Sequence, residues 1–136
     1  MTENSSRKCA MITGASRGIG RASAEIFARH GYDLILTCRS SMESLRGLAD
    51  RLQALYGILC MPVQADMGLE EDVTRLFSLT NRLDVLVNNA GMAHFGLLSQ
   101  MTSSEWHRIM AVNLDSCFYT CRAAIPLMLR RHQGRI

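Results

Sequence analysis

A glycine-rich stretch near the amino terminus, Thr13-Gly14-Ala15-Ser16-Arg17-Gly18-Ile19-Gly20, constrains this chain more than any other feature. It lies between an apolar run, Cys9 to Ile12, and a helix-like segment that continues to about His30. Glycine permits positive φ and close approach to a ligand, and a helix N-terminus presents unpaired N–H groups to an anion. The stretch therefore predicts a strand, a turn that binds a nucleotide diphosphate, and a helix. The alternative is that the glycines form only a tight connection between strand and helix.

Apolar runs and helical periodicities alternate along the following residues. Short apolar runs are typical of parallel strands buried on both faces, and apolar residues three and four apart indicate helices. On the first helix, the stripe expected to face the sheet is Ile19, Ala22, Ser23, Ile26 and Phe27. The alternation predicts an α/β fold with a doubly wound parallel sheet of the Rossmann type. The other elements expected are strands at 33–38, 58–63 and 84–88 and helices at 42–56 and 69–77, with Pro62 indicating a sheet edge or a strand end.

The last third of the chain predicts a loop at 92–101 and then a long helix at about 103–132. The loop holds His94, which we assign to the rim or the surface, and Ser103-Ser104-Glu105 begins the helix in the manner of a cap. A fifth strand is expected to start at 134–136. The long helix is apolar on more than one face and therefore needs two partners, one of which is the sheet; its apolar residues are Trp106, Ile109, Met110, Cys117, Phe118, Ile125 and Met128.

Composition excludes several functional classes. The net charge of +3 comes from scattered arginines rather than from a run, which argues against a nucleic-acid surface. The apolar runs are too short to cross a bilayer, and the polar start, Met1 to Lys8, lacks the apolar region of a signal peptide. We therefore expect one cytoplasmic domain over residues 1–136.

The five cysteines predict neither a disulfide nor a metal site. Cys9, Cys38 and Cys60 fall in or beside predicted strands, where a small buried thiol is the ordinary role. Cys117 and Cys121 are one helical turn apart but have no histidine or Cys-x-x-Cys partner, so we expect them in the core.

The end of the second strand indicates which dinucleotide fits. A carboxylate at this position binds the adenosine ribose and repels a 2′-phosphate. This chain has Arg39 and Ser40 there instead, and Arg17 lies in the glycine turn. Two guanidinium groups and a hydroxyl favour NADP over NAD. The alternative is that both arginines are ordinary solvated surface residues.

Two motifs resemble those of the short-chain dehydrogenase/reductase family: Thr-Gly-x-x-x-Gly-x-Gly at 13–20 and Asn88-Asn89-Ala90-Gly91 after the fourth strand. The resemblance implies that Asn88 stabilises the sheet and that Asp66 accepts a hydrogen bond from the adenine amino group. The alternative for Asp66 is that it starts or caps the next helix. It also implies a catalytic role for Asn113, where the helix opens and its backbone holds a water of the proton relay. The cofactor-binding residues implied are Gly14, Ala15, Ser16, Arg17, Gly18, Ile19, Arg39, Ser40, Asp66, Met67, Asn89, Ala90 and Gly91.

By this resemblance the chain is the cofactor-binding part of an NADPH-dependent oxidoreductase that interconverts a small-molecule carbonyl and a secondary alcohol by hydride transfer. The branch it most resembles, through 13–20 and 105–136, is the 3-oxoacyl-(acyl-carrier-protein) reductases, whose members pair as dimers or tetramers through the helix at about 103–132. The family's Ser and Tyr-x-x-x-Lys are absent from the sequence, because Tyr32, Tyr56 and Tyr119 have no Lys four residues later. We therefore expect the sheet to be incomplete after the fourth strand and its following helix, the domain to be truncated at its carboxyl end, and the chain alone to be inactive.

Two other functions are compatible with parts of the sequence. One is a non-catalytic, truncated NADP-binding paralogue. The other is a methyltransferase-type α/β domain, which suits the glycine turn but leaves Asn88-Asn89-Ala90-Gly91 and the two arginines, Arg17 and Arg39, without a role.

Overall fold

The computed structural model describes residues 7–136. Its strands are β1 Cys9–Ile12, β2 Asp33–Cys38, β3 Cys60–Gln64 and β4 Val85–Val87, and its helices are α1 Gly18–Arg29, α2 Met42–Tyr56, α3 Glu70–Phe77, α4 Ser103–Met110 and α5 Ser116–Leu129. A 3₁₀ turn at Leu98–Gln100 lies within the predicted loop, and a π-helical turn at Ala111–Asp115 joins α4 to α5. The expectation about the start of the chain, Met1 to Lys8, falls mostly on residues 1–6 and there lies outside the described residues.

The four strands form one parallel sheet in the order β3-β2-β1-β4, so the predicted fold class is confirmed. Ile12 on β1 pairs with Leu36 on β2 and with Val87 on β4, which aligns the carboxyl ends of the three strands. At the free edge of β4, Arg135 donates its N–H to the Asp84 carbonyl and accepts from Leu86, as expected for the start of a fifth strand. β3 is the outer strand on the other side, which agrees with the edge position predicted from Pro62.

Helices cover both faces of the sheet, which is what doubly wound means. Alternate strand residues face opposite ways: Ile12, Leu34 and Leu36 pack with α1 and α2, while Met11, Ile35 and Leu86 pack with α3 and α5. All of these six strand residues are buried. The apolar runs in the sequence therefore reflect burial on both faces of a parallel sheet.

The face of α1 that meets the sheet differs from the predicted stripe. Its buried residues are Gly20, Ala24 and Ala28, whereas Ile19 is 78% exposed and Ile26 is 55% exposed. The prediction was right for Phe27, which packs against the core, but wrong for Ile19, Ala22 and Ile26, because it weighted large apolar residues. Small residues occupy the contact face instead, since they allow the helix to lie close to the strands.

The long helix predicted at 103–132 begins at Ser103 as expected, but it is interrupted by the π-helical turn and its cap lies one residue earlier than predicted. Thr102, rather than Ser103, is the N-cap: its hydroxyl accepts from the Glu105 N–H at 3.2 Å, and its own N–H donates to Glu105 Oε2 at 2.7 Å. This reciprocal pair of hydrogen bonds is a capping box, which fixes the start of α4.

All five cysteines are free thiols, and Cys9, Cys38 and Cys60 are buried as predicted. Burial raises the pKa of the Cys9 and Cys60 thiols to about 12, which keeps both protonated at neutral pH. Cys117 and Cys121 are only partly buried. Over the described part of the chain, we find no helix with the length and apolarity that crossing a bilayer requires.

Candidate functional site

A cleft of about 800 Å³ opens at the carboxyl ends of the strands, where parallel α/β sheets bind their ligands. Most of the predicted cofactor-binding residues line it: Gly14, Ser16, Arg17, Gly18, Ile19, Arg39, Ser40, Asp66, Met67, Asn89, Ala90 and Gly91. Ala15 does not, because it is fully buried and its N–H donates to the Thr37 carbonyl at 2.8 Å. Asn113 is also absent from the cleft wall. The lining further includes residues that the sequence did not single out: Thr37, Cys38, Ser41, Ala65, Met92, Ala93, Phe95, Arg108 and Val112.

Glycine is required in the turn for two different reasons. Gly14 and Gly18 have φ of 67° and 56°, a region that other residues rarely adopt. A Cβ on Gly14 would also lie 2.9 Å from the Cα of Ala90, and one on Gly20 would lie 2.5 Å from Asn89 Nδ2. The turn therefore packs directly against the chain that leaves β4.

Thr13 and Asn89 tie the glycine turn to the end of β4. The Thr13 hydroxyl accepts from the N–H groups of Asn89 at 3.0 Å and Ala90 at 2.9 Å. The Asn89 side-chain amide donates to the carbonyls of Thr13 at 2.9 Å and Gly14 at 3.0 Å. Asn89 thus reaches the cleft through its backbone while its amide holds the turn in shape.

Asn88 points to the side of the chain opposite to Asn89. Its side-chain oxygen accepts from the Thr120 hydroxyl at 2.8 Å, and its amide donates to the Cys121 sulfur at 3.6 Å. The two adjacent asparagines therefore join β4 to α5 on one side and to the glycine turn on the other. Asn88 keeps the sheet in place rather than contacting the cleft.

The N-terminus of α1 faces the cleft and is open to an anion. Arg17 precedes the helix with extended backbone, its side chain makes no capping bond, and the first turn holds no acidic residue. The unpaired N–H groups of a first helical turn carry partial positive charge. This end of the cleft therefore favours a phosphate group.

Arg17 and Arg39 add positive charge beside the helix N-terminus. Both are exposed, both line the cleft, and neither forms a salt bridge with a carboxylate of residues 7–136. The Arg39 carbonyl accepts from Gln64 Nε2 at 2.9 Å, which holds its backbone in place. With Ser40 beside them, the two guanidinium groups form a cationic corner with free donors.

Asp66 lies on the cleft wall after β3 and does not cap α3, which begins at Glu70. One carboxylate oxygen accepts from the Gly68 N–H at 2.9 Å, and the other pairs with Arg108 Nη2 at 2.6 Å. Asp72 accepts the Asp66 N–H at 2.7 Å; this bond is the main cause that lowers the pKa of the Asp72 carboxyl, and Arg75 adds to it. Arg108 was missed because it is 42 residues away, and no spacing connects α4 with β3.

Asn113 lies in the π-helical turn and holds the loop that follows β4. Its side-chain oxygen accepts the Met92 N–H at 2.9 Å, and its amide donates to the Met92 carbonyl at 2.8 Å. The helix is thus locally widened at the residue where the resemblance implies an opening. The catalytic assignment of Asn113 stays a prediction. His94 is outside the cleft wall and partly exposed, although its neighbour Phe95 lines the cleft.

Among residues 7–136, no three side chains of the types that ligate metals come together. The polar groups of the described cleft are the backbone of the glycine turn, arginines, hydroxyls, an asparagine and one paired carboxylate, and apolar side chains such as Ile19 and Phe95 line the rest. These groups are suited to a phosphorylated nucleotide.

Known proteins share both the sequence and this fold. The 3-oxoacyl-(acyl-carrier-protein) reductase of Escherichia coli is 36% identical over 129 residues, which are 95% of this chain and 52% of that protein. A short-chain dehydrogenase from Sphingobium yanoikuyae in complex with NADPH is 34% identical with a TM-score of 0.85, covering 93% of this chain and 50% of that one. L-sorbose reductase from Gluconobacter frateurii, complexed with NADPH and L-sorbose, is 29% identical with a TM-score of 0.90, covering 95% and 50%.

The chain therefore spans about half the length of the curated relatives it matches. The family profile described as short chain dehydrogenase matches residues 8–136, which include the glycine turn, both arginines of the cationic corner and the asparagine pair. Because this match extends over nearly all of the sequence, the chain belongs to the short-chain dehydrogenase family.

Proposed function

We propose that the protein is an NADP-dependent oxidoreductase that interconverts a carbonyl and a secondary alcohol. The observation that carries the proposal is the cationic corner: exposed Arg39 follows β2, where an NAD site would hold a carboxylate, and exposed Arg17 lines the same cleft from the glycine turn. The complexes of the Sphingobium dehydrogenase and the Gluconobacter reductase with NADPH support it. The nicotinamide dinucleotide would supply the hydride, and the chain would bind and orient it.

We assign each part of the dinucleotide to the part of the cleft whose chemistry suits it. We assign the pyrophosphate to the backbone of 14–19 at the start of α1, with buried Ala15 supporting the turn from behind. The 2′-phosphate is assigned to Arg17, Arg39 and Ser40, and the adenine to Asp66 and Met67. The backbone of 89–91 would line the path toward the nicotinamide.

We assign Asn113 to the proton relay through its backbone. Its side chain is committed to Met92, and the π-helical turn of Ala111–Asp115 changes the local hydrogen-bonding ladder of the helix. Both features support a backbone carbonyl that holds a water. The hydroxyl and amine groups of a Tyr-x-x-x-Lys pair are not among residues 1–136, so the proposal gives these residues the binding and orientation of the dinucleotide.

For the substrate we propose a small-molecule carbonyl, with a 3-oxoacyl thioester as the first to test. The support is the similarity to the Escherichia coli 3-oxoacyl reductase, which is higher in identity than that to the L-sorbose reductase. We also propose that two or four copies associate through the outer side of α4 and α5, where Trp106, Phe118 and Ile125 are exposed.

The proposal is tested by replacing one arginine of the cationic corner. We expect the protein to bind NADPH more tightly than NADH, and Arg39→Asp to reverse this preference with a loss of about tenfold or more in NADPH affinity, because a charged phosphate contact becomes a repulsion. Dissociation constants follow from the nicotinamide fluorescence of the reduced dinucleotides. Arg46→Asp, on the exposed side of α2 outside the cleft, is the matched control and should leave the ratio unchanged.

Three outcomes would count against parts of the proposal. An unchanged affinity ratio in Arg39→Asp contradicts the phosphate assignment. Failure of the protein to bind either reduced dinucleotide contradicts the cofactor assignment. Binding of NADPH by the full-length protein without reduction of any carbonyl substrate favours the non-catalytic paralogue.

A further inference from the structure

Three arginines line the cleft, and one of them differs from the other two. Arg17 and Arg39 form no salt bridge within the described residues, whereas Arg108 is paired with Asp66 at 2.6 Å. The Arg108 and Asp66 side chains are 30% and 21% exposed, so the pair is partly shielded from water. The cleft thus has a positive end near β2 and a neutral, paired end near β3.

The chain is built to let the Arg108 guanidinium reach Asp66. A Cβ on Gly68 would lie 2.8 Å from Arg108 Nη1 and 3.0 Å from Val112 Cγ2. Gly68 has no positive φ, so its lack of a side chain matters here for space. On the Arg108 side of the ion pair, the capping box of Thr102 and Glu105 fixes the start of α4, the helix that carries Arg108. Two fixed elements therefore meet at this ion pair.

The pairing determines how the Asp66 carboxylate is presented. Each of its oxygens accepts one strong hydrogen bond, from Gly68 N–H and from Arg108, and each keeps a second acceptor position. A carboxylate held at both oxygens cannot rotate freely, and its negative charge is compensated. Without Arg108, an unpaired anion would remain in a cleft proposed to take a molecule with several phosphates.

We propose that Arg108 is a positioning residue that acts through Asp66 and thereby determines which base the cleft accepts. Fixed by Arg108, Asp66 offers an acceptor to the exocyclic amino group of adenine and disfavours a base that presents a carbonyl oxygen at that position. This inference rests on the proposed function, since it requires a dinucleotide in the cleft. It places the base at the paired end and the 2′-phosphate at the positive end.

The test compares NADPH with deamino-NADPH, in which a carbonyl oxygen replaces the adenine amino group. We expect the protein to bind NADPH about tenfold more tightly, as for one hydrogen bond to a charged group set against acceptor repulsion. In Arg108→Gln the preference should fall to within about twofold. Gly68→Ala keeps the arginine but displaces it, and should act in the same direction. Far-UV circular dichroism checks the fold of both variants.

The matched control is Arg122→Gln. Arg122 also joins two elements by an ion pair, between α5 and Glu70 of α3, but it is exposed and outside the cleft. It should leave the preference for NADPH over deamino-NADPH unchanged.

The possible failures are distinguishable. If Arg108→Gln and Gly68→Ala weaken both nucleotides equally, Arg108 has only a structural role and the inference is overturned. If the unmodified protein binds the two nucleotides equally, the inference is overturned while the proposed function stands. If it binds neither, the proposed function fails, and the inference fails with it.

Discussion

At the scale of single residues, the glycine turn is determined by contact as much as by backbone conformation. Gly20 has an ordinary negative φ within α1, yet it is buried against Asn89. Its lack of a Cβ allows the Asn89 amide to reach the carbonyls of Thr13 and Gly14. The absence of a Cβ at Gly20 therefore allows the turn after β1 to bond with the end of β4.

Gly20→Ala should consequently destabilise the protein, although alanine favours helices. The added Cβ must displace backbone or the Asn89 amide, at a cost of about 1–3 kcal/mol in the free energy of unfolding. Gly47→Ala is the matched control: Gly47 lies in α2 with no atom near its would-be Cβ, and the substitution should stabilise by about 0.5–1 kcal/mol. Urea denaturation measures both. Equal effects of the two substitutions would show that the contact with Asn89 does not matter.

At the scale of elements, the turn between β3 and α3 depends on a side chain of the helix. Asp72, in the first turn of α3, accepts the Asp66 N–H and pairs with Arg75 at 2.8 Å. These bonds to the ionised carboxylate lower its pKa from the ordinary value of 3.8. The stabilisation is therefore complete above the unfolded-state pKa and is lost as the pH falls through the lower, folded-state pKa.

Asp72→Asn should therefore lose less stability on acidification than the unmodified protein. We expect the difference in unfolding free energy between the two proteins to be largest near neutral pH and to shrink below about pH 4. Chemical denaturation across this pH range gives both curves. Glu71→Gln removes a charge from the same helical turn without a bond to Asp66, and so controls for the helix dipole. Parallel curves for Asp72→Asn and the unmodified protein would contradict the expectation.

How far the sequence predicts each element depends on how local its determinants are. The bounds of three elements, β1, β2 and α2, are as predicted. The two strands are uniform apolar runs, and the periodic leucines of α2 end at Gly57, which has a φ of 62°. β3 is Cys60–Gln64 rather than 58–63, and β4 is Val85–Val87 rather than 84–88, because pairing with the neighbouring strand determines where a strand begins and ends.

The same argument applies to the candidate site. The glycine turn, Arg39 and the asparagine pair were predictable because each follows a strand directly. Arg108 and the burial of Ala15 were not, because both depend on contacts between distant segments: α4 with the turn after β3, and the glycine turn with Thr37. Ile19 lines the cleft, and its cofactor-binding role stays a prediction. Its predicted place on the sheet-facing stripe was wrong, since the residue is exposed.

At the scale of the whole molecule, the segment of α4 and α5 is apolar on two sides, as the sequence predicted. Its inner side, with Ala124 and Met128, packs on the sheet together with α3, as predicted. Its outer side exposes large apolar residues along its length, among them Trp106 at 49%, Phe118 at 58% and Leu129 at 65%. An apolar face of this kind on a folded domain is typical of a surface that another subunit covers.

We therefore expect the protein to form dimers or tetramers, and charges on this outer side to dissociate them. Ile125 and Leu129 are one helical turn apart and both exposed, so Ile125→Glu combined with Leu129→Glu places two like charges in the proposed contact. Sedimentation velocity should show a smaller mass for this variant at unchanged helix content. Leu55→Glu, an equally exposed leucine at the end of α2, should leave the mass unchanged. A monomeric unmodified protein, or a variant of undiminished mass, would contradict association of copies through this face.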